Sequence, residues 1–127
     1  QELDINMKTE YAAVIRSAYH LSQSFKTKAI LLLSMSGFTA RLVSHFRPET
    51  EILVATDSKK TWRELALVWG VQPFNFEGDE ARDHYIDRMI SDARVTGQLS
   101  VGDDTVVFLG RTPDRRTIDL VGIRRVR

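Results

Sequence analysis

The sequence predicts an α/β protein, a three-layer α/β/α sandwich around a five-stranded, mostly parallel sheet in the order 3-2-1-4-5, with the last strand antiparallel. Three observations carry that expectation. Helix-like and strand-like stretches alternate through most of the chain, which is the pattern of a sheet layered between helices. The strand-like runs are short and apolar on both faces, as strands covered from either side must be. The last two strands are joined by too few residues for a helical crossover, so they pair antiparallel. Right-handed crossovers restrict the order, and a doubly wound sheet reverses its winding near the first strand.

The elements follow in turn. From about Lys8 to Phe25, the residues Tyr11, Val14, Ile15, Ala18, Leu21, Ser22 and Phe25 recur at spacings of three and four, an amphipathic helix with Thr9 available as its N-cap. Ala29 to Leu33 is an uninterrupted apolar run and reads as a buried strand. A polar turn follows, and Phe38 to His45 continues as a short helix that Arg47 and Pro48 close, because a residue before proline is pushed out of the helical region. Glu51 to Thr56, built on Ile52, Leu53 and Val54, is the second strand. Asp57 and Ser58 begin another helix, with Trp62, Leu65, Ala66 and Trp69 as its buried stripe and Gly70 as its stop.

Val71 to Phe76 is the third strand, and Pro73 places it at a sheet edge or gives it an irregular start. Asp79 to Thr96 carries Ala81, Tyr85, Ile86, Met89, Ile90 and Ala93 at helical spacing, and Gly97 closes it. Gly102 and Asp103 turn the chain into the fourth strand, Thr105 to Leu109. A loop from Gly110 to Arg116 leads to the last strand, near Ile118 to Val126. No repeat, low-complexity tract or linker divides the chain, so residues 1–127 are expected to form one domain.

The most informative stretch is Ala29 to Pro48, where a buried strand, a hydroxyl-rich turn and a helix start succeed one another. Ser36 is placed to cap the helix, and Gly37 lets the chain bend while leaving other amides uncovered. Uncapped amides at a helix start attract phosphate, to which the hydroxyls of Ser34, Ser36 and Thr39 add further donors. A doubly wound sheet would set this turn at the carboxyl end of its first strand, in the crevice where such sheets take ligands. A plain helix cap with no ligand is the competing reading of the turn.

Composition excludes much else. The chain has no cysteine, which rules out disulfides, thiol catalysis and thiolate metal sites and suits a reducing, cytoplasmic setting. Its apolar runs are too short to span a bilayer, and 18 basic against 17 acidic residues leave no overall field for nucleic acid or an acidic membrane. His20, His45 and His84 show no metal-ligand spacing. Ser36 lacks the leading glycine of a nucleophile elbow, and no Walker or dinucleotide fingerprint occurs. Asp57 and Asp79 follow strands, where helix capping accounts for them more simply than metal ligation. Arg111, Arg115, Arg116, Arg124, Arg125 and Arg127 gather near the C-terminus, either a solvated basic edge or a local anion surface. Trp62 and Trp69, seven apart, read first as core and second as an interface. Gln1 stands where a complete translated chain begins with methionine, which fits an excised domain, processing or trimming alike.

These residues resemble the C-terminal domain of pyruvate kinase. Ser34, Ser36, Gly37, Thr39, Ala40, Arg41 and the closing Arg47-Pro48 keep step with that family's strand, phosphate loop and helix. Ile52 to Thr56, Thr61 to Pro73 and Gly102 to Gly110 match later segments in order. The resemblance covers nearly the whole chain. It implies a domain without catalysis of its own, serving subunit contact and, in many members, binding of a phosphorylated sugar effector. The effector phosphate is then held by the loop Ser34, Met35, Ser36, Gly37, Phe38 and Thr39, with Ser34, Ser36, Gly37 and Thr39 as contacts. Arg111, Arg115 and Arg116 are candidates for a second effector contact. Met35 and Phe38 depart from that pattern, standing where members that bind a bisphosphorylated sugar often carry basic residues, so a smaller or singly phosphorylated effector, or none, is expected.

The resemblance also implies partners and cofactors elsewhere. Phosphoryl transfer from phosphoenolpyruvate to ADP, with magnesium and potassium, belongs to a catalytic barrel domain of the same parent chain, and the parent enzyme is expected to be a homo-oligomer. No cofactor, nucleic acid or membrane is expected for this domain. The alternative is a free-standing phosphate- or sugar-phosphate-binding module without the barrel.

Overall fold

The computed structural model of the chain describes residues 5–34, 36–46, 49–76, 84–110 and 118–127. The element order is α1 (Ile5–Phe25), β1 (Ala29–Leu33), α2 (Phe38–His45), β2 (Glu51–Thr56), α3 (Lys59–Leu65), β3 (Val71–Asn75), α4 (Tyr85–Val95), β4 (Asp104–Gly110) and β5 (Ile118–Arg125). The strands form one five-stranded sheet in the order β3-β2-β1-β4-β5. β1 pairs in parallel with β2 and with β4, β2 pairs in parallel with β3, and β4 pairs antiparallel with β5.

Alternation along the strands sorts the core into two halves. Ile30 and Leu32 of β1, with Ile52 and Val54 of β2, pack against Ile15 and Ala18 of α1, Ala40 and Val43 of α2 and Leu65 of α3. Leu31, Leu53 and Ala55 face the other way, against Tyr85, Met89 and Ala93 of α4. Successive strand side chains point to opposite faces, so a run such as AILLL is apolar throughout because both faces are covered. Pro73 pairs with Val54 from the edge strand β3, where a missing N–H is tolerated.

Local chemistry sets the helix ends. At the end of α4, Gly97 adopts φ +86 while its N–H reaches Arg94 O at 3.2 Å and the N–H of Gln98 reaches Ala93 O at 2.8 Å, a Schellman closure. The end of α1 has the same form with a lysine in the left-handed position. Lys26 has φ 51, its N–H donates to Gln23 O at 3.3 Å, and that of Thr27 donates to Ser22 O at 3.0 Å. At the outer edge, Arg125 Nε donates to Asp104 Oδ1 at 2.9 Å, and that hydrogen bond holds the Asp104 carboxyl below the usual carboxylate range. Arg124 pairs with Asp87 of α4.

Several expectations change. α1 already includes Ile5, so Thr9 lies inside the helix and does not cap it. Phe25 is exposed at its far end, while Tyr11 and Val14 are outside the described side chains. The cap of α3 is Ser58, whose Oγ accepts the N–H of Thr61 at 3.1 Å, and Asp57 precedes it. α3 stops at Leu65 rather than running to Gly70. After it, the N–H of Leu67 donates to Glu64 O at 3.2 Å and that of Val68 to Leu65 O at 3.0 Å, so the chain tightens into a turn. The expected stripe fails for that reason. Leu65 is fully buried, Ala66 is exposed, and Trp62 and Trp69 remain 37% and 50% exposed, because a helix this short does not carry its register across seven residues. Asp79 and Ala81 lie outside the described residues, and β4 begins one residue earlier than expected, at Asp104.

Candidate functional site

From β1 the chain winds one way through α2, β2, α3 and β3, then crosses with α4 to β4 on the other side of β1. The winding therefore reverses at β1. The turn that leaves its carboxyl end stands at the switch point of the sheet, where neighbouring connections diverge and open a crevice.

Ser34 continues the end of the strand, its N–H donating to Ala55 O of β2 at 3.0 Å. Its side chain turns back into the loop, and Oγ accepts the N–H of Gly37 at 3.0 Å. Gly37 adopts φ +86, which glycine takes at little steric cost, and it occupies the N-cap position of α2. Ser36 was expected there. It precedes the cap instead, and its Oγ accepts the N–H of Phe38 at 3.3 Å. The amides of Gly37 and Phe38 are thus held by the loop's own hydroxyls rather than left uncovered. The left-handed turn at residue 37 brings both serine oxygens within reach of them.

The remaining loop residues divide between core and surface. Ser34 and Thr39 are 5% and 6% exposed, Ser36 is exposed, and Phe38 is half-buried against the core beneath α2. Met35 lies outside the described residues, as do Arg111, Arg115 and Arg116. The strand ends that bound those arginines are described: Gly110 of β4 pairs with Ile118 of β5, at the carboxyl end of a strand adjacent to β1. That is the edge of the sheet from which Ser34 emerges.

Two residues not singled out as site residues from the sequence join the loop. Arg41 folds back over it, with Nη1 donating to Ser36 O at 3.5 Å and Nη2 3.5 Å from Glu64 Oε1 of α3. The spacing from Gly37 to Arg41 is one helical turn, a signal present in the sequence. Glu64 had no such signal, since it reaches the loop through the packing of α3.

His20, His45 and His84 are exposed, His20 beside Tyr19 and His45 beside Phe46, two rings that stack on each other. Among the described residues, no three His, Cys, Asp or Glu side chains gather where they could hold a metal ion. No described helix is long and apolar enough to cross a membrane. At the amino ends of the strands, opposite the loop, a shallow groove of about 1080 Å³ is lined by residues including Lys26, Lys28, Glu49, Glu51, Asp103 and Asp104. Its walls mix both signs of charge.

Fold and loop define a doubly wound α/β domain with a Ser/Gly/Thr turn at its switch point. A family model described as pyruvate kinase, alpha/beta domain, matches residues 12–123, and the chain belongs to that family. It is similar to the pyruvate kinase of Staphylococcus epidermidis, with 35% identity over 111 residues that cover 87% of this chain and 19% of the relative. The pyruvate kinase of Staphylococcus aureus is 35% identical over 94 residues, covering 74% of this chain and 16% of the relative. The chain therefore spans less than a fifth of the length of these relatives.

Proposed function

We propose that this is the non-catalytic regulatory and oligomerisation domain of a pyruvate kinase, and that its Ser34 to Thr39 turn holds the phosphate of a singly phosphorylated effector. One observation carries the reading: the hydroxyl-rich turn lies at the carboxyl end of the central parallel strand, where the winding reverses. Family membership supports it. The hydroxyls of Ser34 and Ser36 hold the amides of Gly37 and Phe38 within the loop; an arriving phosphate takes over those amides as acceptor, and the released hydroxyls then donate to its oxygens. Phe38 packs its ring against the core instead of offering a charge, which favours one phosphate over two.

On this reading, phosphoryl transfer from phosphoenolpyruvate to ADP, with its magnesium and potassium, takes place in a barrel domain of the same cytoplasmic polypeptide. This chain alone then has no turnover. Calorimetric titration with sugar monophosphates tests the loop, with the Ser36→Ala, Thr39→Ala double variant expected to bind more weakly than the parent chain. Equal affinity in the two proteins removes the loop from the proposal. Robust transfer from phosphoenolpyruvate to ADP by this chain overturns the non-catalytic assignment.

A further inference from the structure

Arg41 lies one helical turn beyond Gly37, and side chains on a helix lean toward its N-terminus, so its guanidinium returns over the turn. Nη1 is 2.6 Å from the point where a Cβ on residue 37 would stand and 3.5 Å from Ser36 O. The same guanidinium reaches across to α3, where Nη2 meets Glu64 Oε1 at 3.5 Å. Both side chains are 45% exposed, and an exposed pair held by one long contact is weak. A phosphate monoester offers a guanidinium two oxygens and more negative charge than a carboxylate, in the planar geometry that suits bidentate pairing.

We propose that Glu64 competes with an incoming phosphate for Arg41, so that the Arg41–Glu64 pair is an autoinhibitory latch on the Ser34 to Thr39 turn. The inference rests on the reading of that turn as a phosphate site. With the latch closed, the guanidinium is shared between Ser36 O and Glu64 and is not offered to an anion at the loop. With phosphate bound, Arg41 leaves Glu64 and supplies the cationic contact that Phe38 does not. The exchange also frees α3 from the start of α2, which ties occupancy of the loop to a second element.

Titration of the full chain with inorganic phosphate at constant ionic strength, followed through the backbone amide resonances of Gly37 and Phe38, tests the latch. Glu64→Gln, an isosteric change at an exposed position, is expected to tighten phosphate binding about three- to tenfold. Arg41→Ala is expected to weaken binding, and Glu64→Gln added to Arg41→Ala to give no gain, because the carboxylate acts through the guanidinium. Binding by Glu64→Gln where the unaltered chain shows none also supports the latch. Unchanged affinity in Glu64→Gln while the unaltered chain binds phosphate overturns the latch and leaves the phosphate site standing. The same gain with and without Arg41 overturns it as well. Amide shifts in neither protein remove the site and the latch together.

Discussion

Ser34 Oγ accepts the N–H of Gly37 at 3.0 Å inside the turn that leaves β1. The bond closes the loop on itself, satisfying the amide of the left-handed residue and keeping the hydroxyl out of water. Ser34→Ala leaves that amide without its acceptor at a position 5% exposed, and the expected loss is about 1–3 kcal/mol of stability. Urea denaturation measures it. A change within error would mean that the bond is not formed in solution.

Gly37 has φ +86 and the Arg41 guanidinium close above it. Gly37→Ala forces a side chain into the left-handed region at a cost of about 1–2 kcal/mol and pushes Arg41 off Ser36 O. The expected result is a lowered melting temperature together with a shifted Arg41 side-chain resonance. Wild-type values for both would show that the turn is not left-handed at residue 37.

Lys26 occupies the position after α1 that glycine favours, with φ 51. Lys26→Gly relieves the steric cost of a left-handed lysine but loosens the unfolded chain, and the balance favours the variant by about 0.5–1 kcal/mol. Chemical denaturation decides the sign, and destabilisation would contradict the closure described for this helix end.

Leu65 and Trp62 lie on the same helix with opposite fates. Leu65→Ala empties a fully buried site and is expected to cost about 2–5 kcal/mol, while Trp62→Ala, at a residue 37% exposed, is expected to cost about 1 kcal/mol or less. The reverse ranking in unfolding measurements would restore the tryptophan stripe that the sequence suggests.

Asp104 is held below its usual pKa by the hydrogen bond from Arg125. A carboxylate whose folded pKa is depressed takes up protons more readily when the chain unfolds. Its contribution is complete above the ordinary carboxylate pKa of about 4 and is lost as pH falls through the lowered folded value. The melting-temperature difference between the parent chain and Arg125→Ala should therefore be present at neutral pH and shrink toward zero in strong acid. A difference that persists unchanged in acid rejects the pair as its source.

Strands and most helices were legible because their signals are local. Doubly apolar runs such as AILLL and EILVAT, the helical spacing through Met89 and Ala93, and Gly97 after the last turn of α4 each act within one element. The short β4–β5 link and the right-handedness of crossovers turned those elements into a sheet order. The Ser34 to Thr39 turn was legible as well, since a strand, a polar turn and a helix start are contiguous in the chain. What the turn does with its own groups depended on tertiary structure. A single left-handed torsion at Gly37 decides that Ser34 and Ser36 hold the loop amides themselves, and the packing of α3 decides that Glu64 meets Arg41. The fates of Trp62 and Leu65 were settled in the same way: periodicity marks which residues share a helix face, but burial depends on where the helix stops and what covers it. The placement of Glu64 against Arg41 is not a property of nearby sequence, because it follows from a contact between two helices apart along the chain.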